Sequence, residues 1–331
     1  MRAVIIDEHG EIETARVGEF PDPVPGPDEV LVRVHAVAAN YVDLLVIEGN
    51  YQSLPERPFV PGKGPAGVVA AMGADVEGFK EGDRVLAMAE EGGYAELVTA
   101  GQAQVYHLPE SLSFVDAASM SLVYDTSWFA LCDRGRLATG ETVLVLGATG
   151  GVGFAAVQLA KAMGARVLAG ISSPEKASLF EGGDIDGVID LSVENLRDDL
   201  RRQVYQANGG KGVDIIVDPL GDDIFDAAIR ALAWRGRLVV VGFAAGRIPT
   251  IKANYLLLKN IEVSGLQVSD YRKWDSARMT ECFAEIFALY GEGKIKPAPA
   301  TTYKLDRFAE ALGQVRDRRI VGRAVLLPSD I

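Results

Sequence analysis

Val143-Leu-Val-Leu-Gly-Ala-Thr-Gly-Gly-Val-Gly153 carries an apolar run into a turn with glycines at 147, 150, 151 and 153. Apolar helical spacing follows, with Val152, Ala156, Leu159, Ala160 and Met163 along one side. A strand, a glycine turn and a helix in that order suit a dinucleotide pyrophosphate: the backbone approaches without a Cβ in the way, and the helix N–H groups meet the charge. Gly150 and Gly153 match the second and third glycines of the G-x-G-x-x-G pattern, and Ala148 stands at the first. Thr149, Gly150, Gly151, Val152 and Gly153 are therefore the candidate phosphate-binding residues.

Downstream, strand and helix alternate. Strands are predicted over Thr142–Leu146, Arg166–Ile171, Gly187–Asp190, Val213–Val217, Arg237–Val241 and Ile261–Leu266. Helices are predicted over Pro174–Phe180, Asn195–Ala207, Asp222–Trp234 and Ala277–Tyr290. Repeated β–α–β units build a doubly wound parallel sheet covered by helices, an α/β Rossmann architecture. The second strand ends Ala169-Gly-Ile-Ser-Ser-Pro-Glu-Lys176. Ser172, Ser173 and Lys176 offer hydroxyls and an ammonium where an acid would select the free ribose 2′-OH of NADH, and Glu175 reads as opening the next helix. That favours NADPH. Phe243 and Leu266 follow the last two strands and join the cofactor set by the rule that ligands bind at strand carboxyl ends.

Upstream the chain is β-rich. Ala3–Asp7, Glu29–Ala36, Gly67–Met72, Asp83–Ala89 and Tyr94–Thr99 read as strands, and the four prolines of the stretch from Phe20 to Asp28 force a loop. Val115–Asp133 reads as a connecting helix, and Ala324–Leu327 as a closing strand. The 331 residues imply two domains. Their boundaries are expected at 1–123, completed by 267–331, and at 124–266. Gly is the unusual entry: 36 residues mark ligand-facing loops and tight turns. A net charge of −13 argues against nucleic acid and against anionic lipid. With 2 Cys, no basic-then-apolar leader and no run of about 20 apolar residues, a cytoplasmic location without a disulfide framework or membrane span is expected.

Several further stretches occur in a specific order: Ala39-Asn-Tyr-Val-Asp43, Glu48-Gly-Asn-Tyr51, Pro58-Phe-Val-Pro-Gly62, Ala66-Gly-Val-Val69, Gly82-Asp-Arg-Val85, Gly93-Tyr-Ala-Glu96, the glycine turn, and Val321-Gly-Arg323. In this the chain resembles the zinc-free quinone oxidoreductases, the zeta-crystallin-like family of the medium-chain dehydrogenase/reductase superfamily. The resemblance implies a β-rich GroES-like domain beside the Rossmann domain, with the active site in the cleft between them. It also implies that Asn40 and Tyr51 line the substrate cleft, that Thr126 contacts the nicotinamide region, and that Arg318 or Arg319 meets the cofactor phosphates. A homodimer paired edge to edge near Asn260–Gly265 is implied as well.

Zinc-bearing members of the superfamily place a Cys and a His where this chain has Ala39-Asn40 and Gly62-Lys-Gly64, and His9, His35 and His107 are scattered. No metal site is expected. The chain also departs from its family. Ile47 stands where an Arg often follows Asp43, the acid of the common Pro-Gly-x-Glu-Gly-Ala-Gly is lost from Pro61–Gly67 while Lys63 arrives one place earlier, and Leu191 replaces a Tyr near the 2′-phosphate. The expected activity is NADPH-dependent reduction of quinones or α,β-unsaturated carbonyls. An enoyl- or acryloyl-CoA reductase using Lys63, and a non-catalytic NADPH-binding protein, are the alternatives.

Overall fold

The computed structural model describes residues 1–180 and 183–329. They divide into two compact units. One comprises Met1–Leu122, Tyr271–Phe287 and Pro297 onward; the other comprises Val123–Asp270 and Ala288–Lys296.

The second unit is a six-stranded sheet, parallel throughout. In space its order is Gly187–Asp190, Arg166–Ile171, Thr142–Leu146, Val213–Asp218, Leu232–Val240, Glu262–Gly265. The chain therefore winds outward in both directions from Thr142–Leu146, as a Rossmann sheet does, and reverses beside the strand that leads into the glycine turn. All five residues of that strand are buried, the signature of a strand covered on both faces. Leu144, Leu146, Ile216 and Leu238 pack with Phe225 and Leu200 in one core.

The first unit is built on a seven-stranded sheet. Ala300–Lys304, Arg323–Leu327, Glu29–Ala38, Ala66–Met72, Arg84–Ala87 and Val105–His107 lie side by side, and Leu97–Gly101 also pairs with Glu29–Ala38. Val30, Val32 and Val34 point inward from the long strand, while Arg33 is exposed, as the alternation predicts. The strand Arg323–Leu327 runs antiparallel to the end of Glu29–Ala38, with Val325 opposite Ala38. A cis Arg57–Pro58 peptide precedes Phe59, which bridges to Ile6.

Three sequence expectations are corrected. The helix expected over Val115–Asp133 is broken into Phe114–Met120, Val123–Trp128 and a π-helical turn, Phe129–Arg134. Leu122 takes a left-handed φ of 61° at the break, and Ser121 and Leu122 there pack on Gly64, which has φ 63°. No Pro or Gly marks that break, so periodicity alone ran through it. The helix expected to reach Trp234 stops at Ala228, and one further tight turn ends at Ala231. Leu232 already begins a strand, and Arg235 at φ 64° bends it, leaving Trp234 71% exposed. The strand expected at Tyr94–Thr99 lies at Leu97–Gly101. Tyr94 is instead fully buried against Gly62, where no Cβ fits. Among the described residues, no helix is long and apolar enough to cross a membrane.

Candidate functional site

The candidate residues fall into two groups, one in each unit. In the second unit all but Thr126 follow the carboxyl ends of parallel strands, so the topology sets these along one edge of the sheet. Gly147 leaves its strand with φ 61°, and Gly150 holds the N-cap position of the helix Gly151–Ala162. A Cβ on Gly153 would overlap the carbonyl oxygen of Gly147 and come within 2.7 Å of Ala148 Cα. The helix therefore rests on the strand end through the absence of a side chain, and its first N–H groups open toward the turn. A Cβ on Gly150 meets only that same carbonyl, at 3.3 Å. Thr149 and Val152 are half-buried.

The Ser127 hydroxyl lies between the carbonyls of Val123 at 2.6 Å and Val152 at 2.8 Å, which sets the helix Val123–Trp128 beside the glycine helix. Thr126 lies on that helix, nearly buried, and its N–H donates to Asp125. Ser172 is exposed and Ser173 half-buried directly after Ile171, and Lys176 lies in the tight helical turn that follows. The side chain of Glu175 lies outside the described residues. Leu191 is buried core rather than a surface contact. Phe243 is 39% exposed and packs its ring over Gly221, while the N–H of Leu266 bonds to Val240.

Sequence reasoning missed Asp218, at the end of the neighbouring strand. Its Oδ1 accepts the N–H groups of Leu220 and Gly221 and so shapes the next turn along this edge. Burial pushes its carboxyl above the ordinary value, against those two backbone bonds. The segment Val217-Asp-Pro-Leu-Gly221, a strand ending in Asp-Pro, was the available signal.

The first unit holds Asn40, Tyr51, Lys63 and Arg318. Asn40 occupies the N-cap of the helix Tyr41–Ile47 and is 5% exposed. Its backbone N–H donates to Asp43 Oδ2 at 2.8 Å, as does the hydroxyl of Tyr94, also at 2.8 Å. Asp43 is fully enclosed. Burial raises its carboxyl to about 6, and the bonds from Asn40 and Tyr94 and the charge of Lys63 only partly oppose this. Burial likewise lifts the Tyr94 phenol well above its usual range.

The Asn40 amide donates from Nδ2 to the carbonyl of Ala38 at 3.1 Å, and its Oδ1 accepts from Arg323 at 2.6 Å. The ammonium of Lys63 lies 5.7 Å from the centre of the half-buried Tyr51 ring. Two of its protons are engaged by Glu90, at 2.7 Å to the carbonyl and 2.6 Å to Oε2, while Arg272 holds Glu90 Oε1 at 2.7 Å. Burial works against the Glu90 charge, yet Arg272 and Lys63 prevail and hold its carboxyl down at about 2. Arg318 sits in an exposed left-handed turn, φ 56°, after the helix Phe308–Arg316. Arg319, the alternative, faces Asp317 at 3.7 Å. His9, His35 and His107 each pack on an aromatic ring, those of Phe59, Phe114 and Phe79. Among the described residues, no group of three His, Cys, Asp or Glu side chains is placed to hold a metal ion.

Residues 26–110 match the alcohol dehydrogenase GroES-like domain, and residues 151–285 match a family described as zinc-binding dehydrogenase. The chain is 36% identical over 307 residues to quinone oxidoreductase-like protein 2 of Rattus norvegicus, covering 92% of this chain and 86% of that one. Among solved structures, the quinone oxidoreductase of Pseudomonas syringae pv. tomato superposes with a TM-score of 0.91 at 30% identity, over 99% of both chains. The mycobacterial protein Rv1454c, solved in complex with NADPH, also gives 0.91 at 30% identity, over 99% of this chain and 100% of that one.

Proposed function

The chain belongs to the medium-chain dehydrogenase/reductase superfamily and, within it, to the zinc-free quinone oxidoreductase family, and from that premise we propose that it is a zinc-independent, NADPH-dependent reductase of quinones or α,β-unsaturated carbonyls. The observation that carries the reading is the glycine turn at the carboxyl edge of the parallel sheet, joined to two serines and a lysine at the tip of the second strand. The turn accepts a pyrophosphate, and Ser172, Ser173 and Lys176 suit a 2′-phosphate.

Bound NADPH supplies a hydride. The negative charge that collects on the acceptor's oxygen is met by the N–H of Asn40, held in a buried frame by Asp43, Ala38 and Arg323. The balancing proton comes from solvent or from the Tyr51 phenol. A metal is not needed for this chemistry, because an electron-poor acceptor requires only hydrogen-bond polarisation. Lys63 stands where the zinc-bearing members of the superfamily place a His, and an ammonium opposes a second cation. Lys63 is already committed to Glu90, which disfavours its grasping a CoA phosphate, so the free quinone or enone is the preferred substrate class over the acyl thioester.

The test is NADPH oxidation by purified protein against a panel of quinones, enones and enoyl thioesters, before and after a chelator. Turnover with a quinone or enone, insensitive to the chelator, is expected. Tight NADPH binding with no turnover on any acceptor would instead mark a binding protein. Lys176→Glu is expected to move the NADPH-to-NADH preference toward NADH by about 10- to 100-fold, as a like charge is set beside the 2′-phosphate. Unchanged selectivity in dissociation constants would remove Lys176 from the site.

A homodimer accompanies this reading. The strand Glu262–Gly265 is a sheet edge, and Leu257 and Leu258 before it are 76% and 71% exposed. Sedimentation at micromolar concentration is expected to give twice the chain mass, and a monomer there refutes the pairing.

A further inference from the structure

We propose that Arg323 is a positioning residue that fixes the amide sense of Asn40, so that Asn40 offers the substrate an N–H and not a carbonyl oxygen. The inference rests on the reading of Asn40 as the group that polarises the acceptor.

An asparagine amide is nearly symmetric in shape, and a half-turn about its last torsion exchanges oxygen for nitrogen. The two ends are opposite in chemistry. A donor facing a carbonyl oxygen stabilises the charge that develops there, whereas an oxygen in the same place repels it. Something in the frame must therefore choose the sense.

Two contacts do so, and they agree. Guanidinium carries only donors, so the atom facing Arg323 at 2.6 Å has to be Oδ1. The Ala38 carbonyl only accepts, so the atom facing it at 3.1 Å has to be Nδ2. Turning the amide over would set donor against donor and acceptor against acceptor. Asn40 is 5% and Arg323 8% exposed, so bulk water does not replace either partner. Arg323 sets the oxygen side with a charge-assisted bond, the stronger kind. One proton of Nδ2 then goes to Ala38, and the other, which also faces the Asp43 carboxyl, is the one proposed to meet the substrate oxygen.

Strand register makes this placement a property of the fold. Val325 lies opposite Ala38 in an antiparallel pair, and the Ala39 N–H bonds to the carbonyl of Ala324. Counting on in each direction sets Arg323 opposite Asn40. Gly322 adopts φ 84°, and a Cβ there would overlap the carbonyl of Pro299, so the approach of Arg323 to this position depends on the glycine before it. That explains two residues of Val321-Gly-Arg323 which the reaction itself leaves unused.

The experiment is a double-mutant cycle on the whole chain: Asn40→Ala, Arg323→Met and the pair, read as kcat and KM for an accepted quinone or enone, NADPH dissociation constant, and melting temperature. Each single variant is expected to lose about tenfold or more in kcat, with NADPH affinity held within about twofold. The double variant is expected to be no worse than Asn40→Ala alone, because the second change removes support for a group already gone. Losses that multiply, or an Arg323→Met enzyme with normal kcat beside a crippled Asn40→Ala, overturn the proposal. If Asn40→Ala itself is fully active, the reading of Asn40 falls instead, which separates the two failures. Asn40→Asp serves where Arg323→Met does not fold. It keeps an acceptor for Arg323 but has no N–H, so kcat should fall as far as in Asn40→Ala while NADPH affinity holds within about twofold; retained activity counts against the proposal.

Discussion

Gly153→Ala is expected to weaken NADPH binding by about 100-fold or more, close to 3 kcal/mol, and to lower the melting temperature. The added Cβ meets backbone, the carbonyl of Gly147 and the Cα of Ala148, and neither can swing aside as the end of a side chain would. The helix Gly151–Ala162 must then back away from the strand Thr142–Leu146, carrying its N–H groups off the phosphates. Gly150→Ala is the control. Its Cβ meets a single atom at 3.3 Å, so a shift of a few tenths of an ångström suffices and the fold should persist with a smaller loss of affinity. Fluorescence titration with NADPH, beside thermal unfolding, distinguishes the two. Wild-type affinity in Gly153→Ala would show that the turn is packing alone.

Asp43→Ala and Asp43→Asn are expected to diverge sharply. Alanine leaves two buried donors, the Asn40 N–H and the Tyr94 hydroxyl, without their acceptor. At about 1–3 kcal/mol each, the loss should lower the melting temperature by roughly 5–10 °C. Asparagine keeps an acceptor at that place and removes a charge whose burial is costly.

The pH dependence follows from the raised carboxyl. Both folded and unfolded chains hold the proton below about 4. Between there and about 6 only the folded chain does, and above that both are ionised. Wild type therefore has its full contribution at low pH and loses about 3 kcal/mol of it as pH climbs through 6. Asp43→Asn lacks this loss. The variant should gain on wild type between pH 4 and 7 and plateau above. Parallel melting curves for the two across that range would show that Asp43 titrates at its ordinary value.

Much of the second unit was legible because its signals are local. Thr142–Leu146, Arg166–Ile171 and Gly187–Asp190 appear at the ends read from the chain, since buried parallel strands are apolar runs bounded by charge and glycine. The exposed helix Ala253–Lys259 was not seen, since three consecutive leucines give no amphipathic period. The site was legible as residue types and not as a network. Arg323 meets Asn40 across 283 residues and Arg272 meets Glu90 across 182, and no sequence window contains either pair. The resemblance marked Asp43 as lacking its usual cation. It did not show that Tyr94 and the backbone of Asn40 take up the carboxylate instead.

The strand Arg323–Leu327 also imposes an order of events during synthesis. A ribosome delivers Glu29–Ala38 well before the partner that covers the end of that strand, which emerges only with Arg323–Leu327. The six strands of the other sheet are all present once Gly265 has emerged. The nascent chain can thus complete its later-made unit before its earlier-made one, and in the interval the end of Glu29–Ala38 is an unpaired edge open to other chains.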